Sequence, residues 1–174
     1  TCQKHADITI SLEELPALPA ACTLNGTHYQ WIGEKIFFGW PDFGRFLIAD
    51  GRTIQVCPDT PVTLPLLGKS VLGLPMAMLL QQRGDFVLHG SSIVTKGRAL
   101  IFIGNKGMGK STLAAFFGTE GCEILTDDVA AIQMSKNSFR IRPGYSRMKL
   151  WPDVIKEIGY DPEEFPLIIP ELEK

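Results

Sequence analysis

Alternating apolar and polar positions dominate the first third of the chain. Residues 7–12 alternate as a half-buried strand does, and four further short apolar runs follow between residues 29 and 56. Glycine, proline and aspartate separate these runs, and the step Asp50-Gly51 between two of them is typical of a β-hairpin. The pattern predicts that residues 1–61 form a β-rich antiparallel meander. Its aromatic residues are expected to form a small core: Trp31, Phe37, Phe38 and Trp40.

The spacing of apolar residues changes at residue 62. Leucine and valine now recur at intervals close to three and four, which predicts a connecting helix over residues 62–83, with a kink at Pro75. Residues 84–174 then alternate short apolar runs with one helical stretch, which indicates an α/β fold with the β-rich part at its N-terminal side. We expect this second part to be C-terminally incomplete, because no closing element follows residue 165. Its predicted strands are Phe86–Leu88, Ile93–Val94, Ala99–Ile103, Cys122–Thr126, Val129–Met134 and Phe139–Arg142, and its predicted helical segments are Thr112–Phe117, Pro152–Ile158 and Pro162–Phe165.

Composition narrows the classes of partner. The apolar fraction of 45% and the charged fraction of 21% are those of a globular protein, and a net charge of −2 argues against a nucleic-acid partner. Proline and glycine interrupt the longest apolar stretch, so we expect no membrane partner. The four cysteines show no C-x-x-C spacing, which favours reduced thiols and a cytoplasmic location. The sequence leaves open whether the chain forms a homo-oligomer.

One motif carries specific chemistry. Residues 104–111 read GNKGMGKS, which matches the phosphate-binding loop G-x-x-x-x-G-K-S, and they lie between a predicted strand and a predicted helix. In such a loop, backbone amides and the helix N-terminus surround an anion, the lysine reaches the β- and γ-phosphates, and the serine hydroxyl ligates Mg²⁺. The alternative is a glycine-rich turn with an incidental lysine. The predicted nucleotide-binding residues are Gly104, Asn105, Lys106, Gly107, Met108, Gly109, Lys110, Ser111 and Thr112, with Ser111 also a metal ligand.

Two adjacent acids follow the next predicted strand. If the sheet is an open α/β sheet, Asp127 and Asp128 lie at the same edge as the phosphate loop, because ligands sit at the carboxyl ends of strands. One carboxylate could hold Mg²⁺, and the other could take a proton from an attacking hydroxyl or water. The alternative is an Asp-Asp turn that ends a strand.

Three further residues are candidates at this edge. His89 ends a predicted strand and needs only a short hairpin to lie beside the loop. Arg147 and Lys149 fall in a basic stretch after the last predicted strand, where they could bind transferring phosphoryl oxygens. A structural histidine and a solvated basic hairpin are the alternatives.

The order His89-Gly90, then GNKGMGKS, then Leu125-Thr126-Asp127-Asp128 resembles the catalytic core of the bacterial HPr kinase/phosphorylase family. The resemblance covers roughly residues 84–135 and implies a mixed sheet with a phosphoenolpyruvate-carboxykinase-like fold. It also implies that Lys110 binds phosphate, that Ser111 binds Mg²⁺, that Asp128 accepts the proton of a serine, and that His89 lines the active site. A Glu-x-Arg-Gly signature of that family is absent, and the layout looks more like the small HPr-kinase-like proteins of lasso peptide biosynthesis.

The resemblance predicts an ATP- and Mg²⁺-dependent serine kinase, or a kinase that uses another nucleoside triphosphate. Its partners would be the nucleotide and a peptide or protein acceptor carrying a serine. Asp127 would be a metal ligand, Asp128 the base, and Lys110, His89 and Arg147 further catalytic residues. Two alternatives stay open: a nucleotide-binding regulatory module without transfer, and an ordinary P-loop ATPase.

Overall fold

A computed structural model of the chain describes residues 7–17, 23–24, 27–40, 43–145 and 148–165. The chain divides into two compact units, residues 1–84 and 85–174. The described part is mixed α/β, with two mostly antiparallel sheets and four α-helices.

The sheet of the first unit has six strands in the order β1-β6-β5-β4-β3-β2. Strands β3 to β6 form the predicted antiparallel meander, and the hairpin between β5 and β6 turns at Asp50 and Gly51, both with positive φ. Strand β1, in contrast, pairs with β6 in parallel. The strands are β1 (Thr9–Leu12), β2 (Thr23–Leu24), β3 (Thr27–Ile32), β4 (Lys35–Trp40), β5 (Gly44–Ala49) and β6 (Thr53–Pro58).

Two helices replace the single predicted one. They are α1 (Leu64–Leu72) and α2 (Leu74–Gln82), and the break lies at Gly73, so that Pro75 falls in the first turn of α2, where proline is tolerated. Helix α2 packs on β5 and β6, and its last residue, Gln82, accepts a hydrogen bond from the Gly51 amide at 3.0 Å. No single described helix is long and apolar enough to cross a membrane, although α1 and α2, bent by 43°, pass that test as a pair.

The core of the first unit lies between this sheet and the helices. Phe38 and Phe46 are fully buried, and their rings stack with centroids 4.6 Å apart. The predicted aromatic core is therefore correct for Phe38, but Trp31 and Trp40 are 65% and 40% exposed. The remaining buried members are Ile36, Ile48, Ile54, Val56, Val71, Met78 and Leu79.

The second unit is built around one long strand, β7 (Phe86–Thr95), where two short strands were predicted. Gly90, Ser91 and Ser92 lie between the two predicted strands, and in the structure they are buried within β7. A Cβ at position 90 would lie 2.7 Å from the carbonyl oxygen of Phe102, so this glycine serves close backbone approach rather than a turn.

Strand β7 pairs with three strands, all of which run antiparallel to it. On one edge it pairs with β8 (Arg98–Ile103), and on the other with β10 (Val129–Ser135) and β9 (Glu123–Thr126). The predicted mixed α/β composition is therefore confirmed, but the described strands of this sheet pair antiparallel. Strands β8 and β9 still run in the same direction, because both oppose β7, and their carboxyl ends meet at its middle.

The other elements of the second unit agree with the sequence pattern. Helix α3 (Lys110–Thr119) follows the phosphate loop, and β11 (Ser138–Ile141) pairs back on β10. Helix α4 (Pro152–Glu157) precedes a 3₁₀ turn, Pro162–Glu164, whose N-cap residue Asp161 accepts a hydrogen bond from the Glu163 amide.

An ion pair with a buried carboxylate and a partly exposed guanidinium joins the start of β7 to the segment after β11. The Asp85 side chain is 3% exposed, and its Oδ2 accepts a hydrogen bond from Nε of Arg142 at 2.6 Å. This hydrogen bond raises the pKa of the Arg142 guanidinium, against a smaller lowering by desolvation. The pair holds the segment after β11 against the start of β7.

Replacing Arg142 by methionine is expected to destabilise the second unit by about 3 kcal/mol, because it leaves a buried carboxylate unpaired. Urea denaturation measures the change in the free energy of unfolding. Arg140→Met, on an exposed position of β11, is the matched control and should change it by less than about 0.5 kcal/mol. Equal effects of the two substitutions would show that the ion pair does not stabilise the unit.

Candidate functional site

The phosphate loop connects β8 to α3 in the predicted strand–loop–helix order. Gly109 directly precedes α3 and adopts a left-handed backbone with φ of 75° and ψ of 19°. Only glycine adopts this conformation without strain, and it turns the chain so that α3 starts at Lys110. The first backbone amides of α3 therefore point toward the loop without partners in the helix, as an anion-binding helix N-terminus requires.

Lys110 closes the loop on itself. Its Nζ donates hydrogen bonds to the carbonyl oxygens of Gly104 at 3.0 Å and Asn105 at 3.1 Å. The ammonium group is thus held against the backbone at the start of the loop by two carbonyl oxygens. A phosphate bound by the loop amides would lie within reach of this charge.

Asp127 connects the phosphate loop to the central strand. Its Oδ1 accepts hydrogen bonds from Oγ of Ser111 at 2.8 Å and from Oγ of Ser91 at 2.6 Å. The predicted approach of the acid pair to the loop is therefore seen in the structure. Ser91 was not among the predicted site residues, because its role depends on the pairing of β7 with β9 and β10.

Ser111 and Asp127 fit the ligand requirements of Mg²⁺. Both offer oxygen, and their 2.8 Å separation is close to the roughly 2.9 Å between adjacent ligands of an octahedral site with Mg–O distances of about 2.05 Å. The described residues contain no cluster of three or more His, Cys, Asp or Glu side chains that could hold a metal. Mg²⁺ commonly uses one or two carboxylates together with substrate phosphates, so this donor set suits it.

Asp128 has a backbone conformation that is unusual for a residue with a side chain. Its φ is 67°, and the amide of Val129 donates to the carbonyl oxygen of Asp127 at 2.9 Å, which forms a tight turn around Asp128. The register of β7 with β9 and β10 continues on both sides of this turn: Ser92 faces Thr126 and His89 faces Val129. The acid pair is therefore a local distortion of this ladder, and a second irregularity, a register shift between Ser92 and Ile93, follows it. Such distortions concentrate at functional sites.

The Asp128 side chain forms an ion pair with Lys149. Lys149 Nζ lies 2.6 Å from Asp128 Oδ2, and the two side chains are 39% and 34% exposed. The segment that carries Lys149 is attached to the sheet by the amide of Arg142, which donates to Ala131, and by the amide of Gly144, which donates to Leu125. The basic stretch thus reaches the acid pair through Lys149, while the predicted catalytic residue Arg147 lies outside the described residues.

The prediction that His89 ends a strand is wrong. His89 lies within β7, opposite Val129. Its side chain is exposed, and Nδ1 is 3.0 Å from the carbonyl oxygen of Asp128, to which the Gly90 amide also donates at 3.3 Å. His89 therefore contacts the backbone of the acid pair rather than its carboxylates. In this arrangement it is placed to support the turn at Asp128.

Comparisons with family models, with curated proteins and with solved structures give no significant match for this chain.

Proposed function

We propose that this chain is an ATP- and Mg²⁺-dependent serine kinase of the HPr-kinase-like type, which acts on a peptide or protein in the cytoplasm. The observation that carries the proposal is the hydrogen bond between Ser111 of the phosphate loop and Asp127 of the acid pair. It brings residues 104–111, which match the phosphate-loop motif, next to the two adjacent carboxylates, and this supports a shared site for polyphosphate and Mg²⁺. The motif order supports a phosphoenolpyruvate-carboxykinase-like core for residues 84–174.

Each part of the site has a role in this proposal. The loop amides and Lys110 would hold the triphosphate and offset its charge. Ser111 and Asp127 would hold Mg²⁺, which when bound supplies further neutralisation of the phosphate oxygens. Ser91 orients Asp127, because its hydroxyl donates to the same carboxylate oxygen.

The chemical step would run through Asp128. The serine oxygen of the acceptor forms a bond to the γ-phosphorus while the bond from that phosphorus to the bridging oxygen breaks. The carboxylate of Asp128 takes the serine proton, and the nucleoside diphosphate leaves with the bonding electrons. Oδ2 of this carboxylate accepts a hydrogen bond from Lys149, so we expect Oδ1 to receive the proton.

Lys149 is a positioning residue in this account. Replacing it by methionine should lower kcat for phosphoryl transfer about tenfold to a hundredfold, because Asp128 loses the contact that orients it. The KM for ATP should change little, since Lys149 does not contact the loop in the structure. Lys149→Arg, which retains the cation, should recover most of the activity; equal losses in both variants would refute the positioning role.

A product analysis separates the proposal from its alternatives. The protein is incubated with Mg²⁺-ATP and serine-containing peptides, and the peptides are examined by mass spectrometry for an added phosphoryl group. A serine kinase transfers phosphate to a peptide, an ordinary P-loop ATPase releases inorganic phosphate without an acceptor, and a regulatory module binds nucleotide without turnover. Steady ATP hydrolysis with no phosphorylated peptide would contradict the kinase proposal.

A further inference from the structure

A cleft opens directly beside the phosphate loop. It lies between α3 and the end of α4 and has a volume of about 470 Å³, within the range for small-molecule sites. Met108 and Thr112 form its end at the loop, and Leu113 and Phe116 form the wall on α3. Glu157 and Ile158, at the end of α4, form the other wall. Because Thr112 belongs both to the cleft and to the first turn of α3, the cleft is adjacent to the predicted phosphate site.

The walls of this cleft leave large apolar side chains exposed. Met108 is 73% exposed, Phe116 49% and Leu113 43%, although all three lie on the same side of the loop and helix. On the same helix, Ala114 and Ala115 are buried. Helix α3 therefore has one packed side and one apolar side that faces the cleft, an arrangement typical of a binding site.

We infer that this cleft binds the nucleobase of the nucleotide whose phosphates occupy the loop. The inference rests on the proposed function, since it takes a nucleotide as the ligand of the loop. Ribose and base are covalently attached to the α-phosphate, so a nucleotide held by the amides at the start of α3 must place them close by, and the cleft begins at Thr112. Phe116 provides an aromatic ring for stacking, and Met108, Leu113 and Ile158 provide apolar contacts.

Charge defines the class of base further. Glu157 is the one charged residue among the described residues that line the cleft, and a carboxylate at neutral pH only accepts hydrogen bonds. An acceptor at this position selects a base with an exocyclic amino group. The cleft therefore takes a base that carries an amino group, such as adenine, in preference to one that lacks it.

The contribution of the base is measured by comparing two ligands that share the phosphate chain. Isothermal titration calorimetry gives the Kd of ATP and of inorganic tripolyphosphate, each with Mg²⁺. Phe116→Ala should weaken ATP binding about tenfold through the loss of stacking and leave tripolyphosphate binding unchanged. Phe139→Ala, at a 75% exposed phenylalanine of β11, is the matched control and should change neither value.

The binding results distinguish a failure of the cleft inference from a failure of the phosphate-loop proposal. If the wild-type protein binds neither ligand, the phosphate-loop proposal fails, and the cleft inference fails with it. If it binds both equally tightly, or if Phe116→Ala leaves ATP binding unchanged or weakens both ligands alike, the cleft inference alone is overturned.

A second variant tests the role of the carboxylate without altering the aromatic wall. The wild-type protein should bind ATP about tenfold more tightly than purine riboside triphosphate, which lacks the amino group. Glu157→Ala should reduce that ratio to near one. A ratio that is the same in both proteins would overturn the assignment of Glu157 as the acceptor.

Discussion

Phosphoryl transfer is expected to fall by about 10³- to 10⁴-fold when Asp128 is replaced by asparagine, while Mg²⁺-ATP still binds. The carboxylate accepts the serine proton in the proposed mechanism, and an amide cannot do so. Asparagine is also the replacement that keeps the local backbone, because the φ of 67° at this position is better tolerated by Asn than by other residues with a side chain. Single-turnover transfer to a serine peptide measures the effect on rate, and calorimetry measures nucleotide binding.

Asp50→Asn is the matched control for this substitution. Asp50 also has a positive φ, 57°, but it lies in the hairpin turn of the first unit. We expect wild-type rates from it. An Asp128→Asn protein that transfers phosphate at the wild-type rate would exclude Asp128 as the base, and one that no longer binds nucleotide would indicate a role in binding.

Replacing Lys110 by methionine is expected to lower kcat/KM by about 10²- to 10³-fold and to weaken ATP binding. The substitution keeps the length and apolar stem of the side chain but removes the charge that the loop carbonyls of Gly104 and Asn105 hold in place. Unlike Asp128→Asn, this change should affect both binding and turnover, because the charge acts on the phosphates before and during transfer.

Lys136→Met, in the exposed turn between β10 and β11, removes a lysine from the same unit and should leave both parameters unchanged. Thermal denaturation of both variants checks that they are folded. Wild-type affinity for ATP in the Lys110→Met protein would show that residues 104–111 do not act as a phosphate loop.

The parts of the site that the sequence predicts are those encoded by neighbouring residues. The phosphate loop is contiguous, and its strand and helix are recognisable from apolar runs on either side. The acid pair follows the next strand, and its contact with Ser111 agrees with the prediction. The carboxyl ends of β8 and β9 do lie together, but the two strands are not neighbours, because β7 lies between them and pairs antiparallel with both.

The contacts that the sequence does not predict depend on long-range register. Ser91 reaches Asp127 only because β7 continues through residues 89–92, where the small and polar residues suggested a turn. Gly90 is small because the backbone of Phe102 approaches it closely, and local propensity cannot distinguish that requirement from a turn. The same limitation applies to the parallel pairing of β1 with β6, for which no local signal exists.

The fate of the γ-phosphoryl group of ATP is the most direct test of a phosphotransfer site built from the loop and the acid pair. ATP labelled in that group is incubated with the protein, Mg²⁺ and a degenerate library of serine peptides, and the label is traced. We expect label on peptide serine with the wild-type protein, and none on peptide with Asp128→Asn, which still binds ATP. Label recovered only as inorganic phosphate, or equal peptide labelling by the two proteins, would contradict it.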